Sequence, residues 1–239
     1  GIAAPPRTFG LYRDGSRIAA LPMGQPSAEH ARASLDAAPY ALIDAPRVLS
    51  LGGAGGFRAA EALALGAARV TVVEPEPVLR EALLRGLGAS PAPAADPRVT
   101  VSAAHPLTVP GRFDLVDMAG DFLGADDQNR TAVTAEALAR FLSQLEPGGM
   151  VSVPIGIREL PVYAVRVLAT AQAALRLAGV ADPARHVAVI RSAWNLRVLI
   201  ARDPFDAARV ERLSAFAEER SFDLSYAPGL AMEGREVWN

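Results

Sequence analysis

Cysteine is absent from the 239 residues, and so is lysine: all 24 basic residues are arginine. Without cysteine there is no disulfide, no thiol nucleophile and no thiolate metal ligand. Without lysine there is no Schiff-base amine and no P-loop lysine. Histidine is scarce, and His30, His105 and His186 lie too far apart for zinc-ligand spacing. The arginines are scattered and the net charge is −2, which argues against a nucleic-acid partner. The longest uncharged apolar stretches, such as Gly148–Ile157, fall well short of the ~20 residues of a membrane span. The N-terminus lacks the charged start and apolar run of a signal peptide, and the sequence reads as soluble and cytoplasmic. With 51% apolar and 21% charged residues, collagen, disorder and a disulfide scaffold are excluded. The length suits one α/β domain, or one with a small appendage.

Residues 1–46 stand apart as an N-terminal β-hairpin and linker. Arg7–Arg13 and Arg17–Met23 are strand-like runs joined by Asp14-Gly15-Ser16, and Asp-Gly between apolar runs is a hairpin signal. Gln25–Ala45 reads as loop and short helix. From Arg47 to Asn239, short β runs alternate with helical patterns, which implies a parallel sheet. Strands are expected at 47–51, 69–73, 99–102, 113–118, 150–154, 186–192 and 195–201. Helices are expected at 57–65, 77–87, 134–145, 160–178 and 206–219. Asp206 is the expected N-cap of the last helix, with Val210, Leu213 and Phe216 facing inward. The expected fold is α/β: a Rossmann-like, mostly parallel seven-stranded sheet of the class I methyltransferase type with a terminal antiparallel hairpin.

The sharpest motif is Val48-Leu-Ser-Leu-Gly52-Gly53-Ala54-Gly55-Gly56, followed by a helix and then Val72-Val73-Glu74 at the end of the next strand. Glycines at a strand-to-helix turn let the backbone approach a ligand, and the helix behind them offers free N–H groups. An acid about 20 residues on can bind both ribose hydroxyls. Gly52, Gly53, Ala54, Gly55, Gly56 and Glu74 are therefore the candidate nucleoside-binding residues. The bland alternative is a flexible turn with a solvated Glu74. Arg58 stands where a dinucleotide fingerprint needs its third glycine, so a lone nucleoside suits the loop better.

Val48–Glu61 together with Val72-Val-Glu-Pro-Glu-Pro77 resembles the first two motifs of spermidine synthases. The likeness is closest to bacterial spermidine-synthase-like domains often fused to membrane-spanning segments. It continues in Ala38-Pro-Tyr40, Pro97-Arg-Val99, Phe113-Asp-Leu115, Thr134-Ala-Glu-Ala137 and Gly179–His186, and it covers roughly 36–239. The resemblance implies S-adenosylmethionine or decarboxylated S-adenosylmethionine as cofactor and aminopropyl transfer to a small-molecule amine. It also implies a protein or membrane-bound partner, or a parent polypeptide that brings the chain to a membrane, and a homo-oligomer.

The sequence departs from that family at the residues that matter. Gly55 replaces an Asp inside the loop, and Phe57 replaces the loop's last glycine. His105-Pro106 replaces an Asp and small residue used for the adenine amine. Ala119 stands where an Asp deprotonates the attacking amine, and Val133 where a tyrosine lines the substrate. An alkyl ammonium must lose a proton before it attacks, and a carboxylate at hydrogen-bond distance takes it. Asp117 and Asp121 flank Ala119 and are the candidate catalytic acids, each with a structural reading beside the catalytic one. Asp126 and Asp127 read as a solvated helix cap, His105 as a surface histidine, Glu76 as support for a helix N-terminus. Trp194 reads as a packing residue, flanked by solvated Arg191 and Arg197. The favoured function is a domain of this fold with a degenerate site, non-catalytic or altered in substrate. The alternative is an active aminopropyl or methyl transferase. A macromolecular methyltransferase is disfavoured by the missing Asn/Asp-Pro-Pro-aromatic motif.

Overall fold

The structure is a computed structural model that describes residues 6–24, 27–120, 123, 127–157 and 162–231. Strands β1 (Thr8–Arg13) and β2 (Ser16–Pro22) pair antiparallel as a separate two-stranded sheet. Asp14 and Gly15 both take positive φ (50° and 81°), the geometry that a two-residue hairpin turn requires. Helix α1 (Ala28–Ala33) follows, capped by Ser27, and then a 3-10 helix at Leu35–Ala41.

The main sheet has eight strands: β3 (Arg47–Leu51), β4 (Arg69–Val73), β5 (Val99–Ser102), β6 (Phe113–Met118), β7 (Leu145–Gly156), β8 (Val187–Arg191), β9 (Asn195–Ala201) and β10 (Asp223–Tyr226). Their order is β10-β8-β9-β7-β6-β3-β4-β5. Strands β3 to β7 run parallel, and β9, β8 and β10 add antiparallel at one end. The sequence reading lacks β10, an edge strand of four residues, too short to show an alternation.

Helices α2 (Phe57–Ala64), α3 (Pro77–Arg85), α4 (Ala135–Gln144), α5 (Val162–Leu177) and α6 (Ala207–Glu219) cover the sheet. On one face Leu138 and Phe141 of α4 and Ala171 and Leu175 of α5 pack on Val116, Met118, Val151 and Val153. On the other, Ala59 and Ala62 of α2, Leu83 of α3 and Leu213 and Phe216 of α6 pack on Val48, Val70, Leu115 and Met150. Side-chain caps start two of these helices: Thr134 Oγ1 accepts from the Ala137 N–H, and Asp206 Oδ1 from the Arg209 N–H. Gly179, at φ 84°, closes the turn after α5. Among the described residues no helix is long and apolar enough to cross a membrane.

Candidate functional site: a glycine loop and a cleft with a buried ion-pair floor

Strand β3 is followed by Gly52, whose N–H donates to the Val73 carbonyl at 2.8 Å and ties the loop to β4. Ala54 opens a short 3-10 turn, Ala54–Gly56, that leads into α2. The glycines are needed for packing inside the protein. A Cβ on Gly53 would lie 2.7 Å from a Leu83 methyl, and one on Gly56 2.9 Å from Pro93 Cγ. One on Gly55, already at φ 62°, would lie 2.8 Å from the Ala20 carbonyl of β2. Glu74 directly follows β4 and is 4% exposed. Its Oε2 accepts the Gly53 N–H and its Oε1 the Glu76 N–H, each at 3.1 Å. Burial pushes this carboxyl above its usual range, against the opposing pull of those two N–H groups. Glu74 thus sits beside the glycine loop, but both its oxygens are engaged by main chain. The side-chain directions of Gly53, Gly55 and Gly56 are filled by the protein itself.

The second feature is a charge cluster inside the sheet's packing. On the face carrying Val48, Leu115 and Met150, the row toward the carboxyl ends turns polar. Ser50 of β3 lies in register with Asp117 of β6, and Asp117 with Ser152 of β7. Asp117 is completely buried. It pairs with Arg58 Nη2 through Oδ2 and with Arg197 Nη1 through Oδ1 at 2.8 Å, and it accepts the Tyr40 hydroxyl at 3.1 Å. Arg58 and Arg197 are themselves only 3% and 1% exposed. Arg197 also donates to Ser152 Oγ at 2.7 Å and to Asp36 Oδ1 at 2.7 Å, while Arg58 Nη1 reaches Glu61 at 3.0 Å. Burial alone would raise the Asp36 carboxyl, but the Arg197 and Arg58 guanidiniums outweigh it and hold it well below the carboxylate range. Burial wins at Glu61, whose carboxyl is pushed up despite Arg58.

The structure corrects two readings, Arg197 and Trp194, and adds partners for a third residue, Arg58. Arg197 is not solvated; it is the cluster's most deeply buried cation. Arg58 fills the place where a third glycine would bring helix and strand together, and its charge is neutralised there. Trp194 is not a packing residue: it is 62% exposed at the β8–β9 turn. Arg191 remains near the surface and pairs with Asp223 of β10 at 2.9 Å. His105 is exposed and its Nδ1 accepts the Leu107 N–H, capping the turn Pro106–Thr108. Glu76 is the N-cap residue of α3. Asp121 and Asp126 lie outside the described residues; Asp127 opens a 3-10 helix, Asp127–Val133.

A cleft of about 1210 Å³ opens beyond the carboxyl ends of β6 and β7. Ala119 and Gly120 after β6, Val153–Gly156 of β7 and Val133 form one side. Tyr163, Arg166, Val167 and Thr170 of α5 form another, and Pro6, Thr8 and Ala20 bring in the hairpin. Phe57, Arg58, Glu61, Asp36 and Arg197 bring the ion-pair cluster to its floor. Ala119 and Val133, where the resemblance expects a base and a tyrosine, both line this cleft. Sequence reasoning missed Asp36, Tyr40, Arg58, Glu61, Ser152 and Arg197. Their signal is polar residues at the inward positions of otherwise apolar strands, Ser50, Asp117, Ser152 and Arg197.

No protein-family model matches the chain, and no curated protein matches it. Solved structures do. A probable spermidine synthase from Corynebacterium glutamicum aligns over 91% of this chain and 80% of its own, with 21% identity and a TM-score of 0.60. The spermidine synthase from Thermotoga maritima aligns over 89% and 70%, with 17% identity and a TM-score of 0.54. A spermidine synthase in complex with the transition-state analogue AdoDATO aligns over 82% and 66%, with 17% identity and a TM-score of 0.53. At these identities the likeness is one of fold: the chain has the Rossmann-like architecture that spermidine synthases share with class I methyltransferases.

Proposed function

We propose that the protein is a spermidine-synthase-like domain whose transfer site is degenerate, so that it acts as a non-catalytic or altered-substrate member of the S-adenosyl-binding fold. The observation that carries this reading is the fate of the acids on β6. Asp117 is spent on Arg58 and Arg197, and Ala119, at the cleft, has no proton-accepting group. Without a general base, amine attack loses roughly 10²–10⁴ in rate. Glu74 points the same way, since both of its oxygens already accept main-chain N–H groups that a ribose would have to share. The AdoDATO complex of a structural neighbour supports an S-adenosyl-type ligand as ancestral to the fold. The likeness to membrane-fused members, a partner protein and a homo-oligomer belong to this same proposal.

A second reading, a transferase with a different acceptor, is favoured by the size of the cleft, which is ample for a small molecule. Two measurements test the first reading. Calorimetric titration with S-adenosylmethionine, its decarboxylated form and methylthioadenosine should show weak binding or none. Aminopropyl transfer from decarboxylated S-adenosylmethionine to putrescine should be undetectable. Robust turnover that Asp121→Asn abolishes would make the protein an ordinary aminopropyltransferase and end the proposal.

A further inference from the structure

We infer that Glu61 is the general base of the cleft, acting on a small apolar molecule that carries a weakly acidic C–H bond; this rests on the altered-substrate form of the reading above. Among the described residues, β6 and the turn after it bring no proton acceptor to the cleft: Ala119 and Gly120 stand there, and Asp117 is sealed beneath between two arginines. Helix α2 brings one. Glu61 lines the cleft with its side chain 10% exposed. Arg58 Nη1, one turn earlier, donates to its Oε2 at 3.0 Å and fixes the plane of the carboxylate. Oε1 accepts no hydrogen bond and is not sealed from solvent. One oxygen is thus anchored and the other is left to take a proton.

The two described carboxylates of the lining are driven apart by their surroundings. Asp36, on the 3-10 helix, meets Arg197 of β9 at 2.7 Å and Arg58 at 3.4 Å, and the two guanidiniums hold it well below the carboxylate range. It stays charged and is a poor base. At Glu61 burial outweighs Arg58, and the negative charges of Asp36 and of Asp117 on β6 push the same way, so its carboxyl lies above the usual range. Such a divergence separates a permanent charge from a proton-exchanging group. His30 of α1, Arg130, Tyr163 and Arg166 are the other described titratable groups of the lining. The walls beside them are apolar, with Val153 and Ile155 of β7, Val167 of α5 and Leu196 of β9. Apolar walls leave a carboxylate poorly hydrated, which makes it the stronger base, and they suit an apolar substrate.

The test gives the full chain a probe that needs only a base, 5-nitrobenzisoxazole. Glu61 Oε1 takes the C3 proton, the C–H electron pair completes a nitrile, and the N–O bond breaks to release a phenolate that is read by its absorbance. No other reactant enters, the proton returns to water, and the chain has no lysine to act as an amine base. Turnover should saturate with probe, and its rate should rise with pH through a midpoint above 4.5. Glu61→Gln should lose at least about a hundredfold in rate. Asp36→Asn should keep the activity and lower the midpoint, because it removes a negative charge that holds the proton on Glu61. Should Glu61→Gln fold poorly, the wild-type profile and the Asp36→Asn shift still decide. No saturable turnover, a midpoint at or below 4.5, a midpoint that Asp36→Asn leaves in place, or a folded Glu61→Gln variant as fast as wild type each overturns the inference; the last would move the proton transfer to another group such as His30. Putrescine turnover in the transfer assay overturns the degenerate-site reading itself, so the two failures are separable.

Discussion

Replacing Asp117 with asparagine should destabilise the fold, because it removes the anion between two buried cations. Asparagine keeps the shape and one acceptor oxygen, so the change isolates charge. It leaves Arg58 and Arg197, 3% and 1% exposed, facing only Asp36 and Glu61. Breaking a buried pair by removing one partner costs about 3–5 kcal/mol. The residual amide contact and the acids that remain beside the arginines, Asp36 and Glu61, place the expected loss near the lower end. About 3 kcal/mol corresponds to a fall in melting temperature of roughly 6–12 °C for a chain of this size. Urea denaturation should show a lower midpoint at unchanged slope. A loss below about 1 kcal/mol for Asp117→Asn would refute the idea that pairing neutralises the cluster.

Gly55→Ala combines a φ of 62° with a Cβ 2.8 Å from the Ala20 carbonyl, whereas Gly179→Ala meets a φ of 84° with open space around it. The Gly179 change should cost about 1–2 kcal/mol, the Gly55 change clearly more, with faster amide exchange in β1 and β2; equal costs would mean that the hairpin does not press on the loop. Burial raises the folded-state values of Glu61 and Glu74 above 4.5, so the folded state holds those protons more tightly. Stability should therefore rise as pH falls from neutral toward about 4.5. Asp36 and Asp114 have depressed values, so their contribution is lost only as pH falls below about 3.8. Urea midpoints at pH 7, 5 and 3 check both limbs, and a midpoint that drops between pH 7 and 5 contradicts the assignment. Trp194→Ala, at 62% exposure, should stay within about 0.5 kcal/mol of wild type; a large loss would restore Trp194 as a packing residue.

The fold was legible because its signals are local. The strands of the parallel sheet are runs of apolar residues bounded by glycine, proline or acid, and each helix carries a cap or a stop: Thr134, Asp206, Gly179. Such features act within a few residues, so a single sequence displays them. The glycine loop belonged to the same class, and its place between β3 and α2 followed from the order strand, glycines, helix. What fills the space around it did not. Leu83, Pro93 and Ala20 press on the loop from about 30 residues away along the chain on either side, and no local pattern announces that they will.

The ion-pair cluster was illegible for a sharper reason. Each of its members has an ordinary local explanation: Arg58 as a helix residue, Arg197 beside a turn, Asp117 at a strand end. Only the register of four strands and two helical segments brings them together, across separations of 59 and 80 residues to Asp117. The register also explains why the cluster sits where it does. Ser50, Asp117 and Ser152 occupy one row, at the carboxyl ends, where ligands bind in folds of this class. A polar row there is costly unless something satisfies it. In this chain the satisfying groups are the protein's own Arg58, Arg197 and Tyr40. Cationic partners for the buried Asp117, and for Asp36 and Glu61 beside the cleft, are thus built into the sheet and α2.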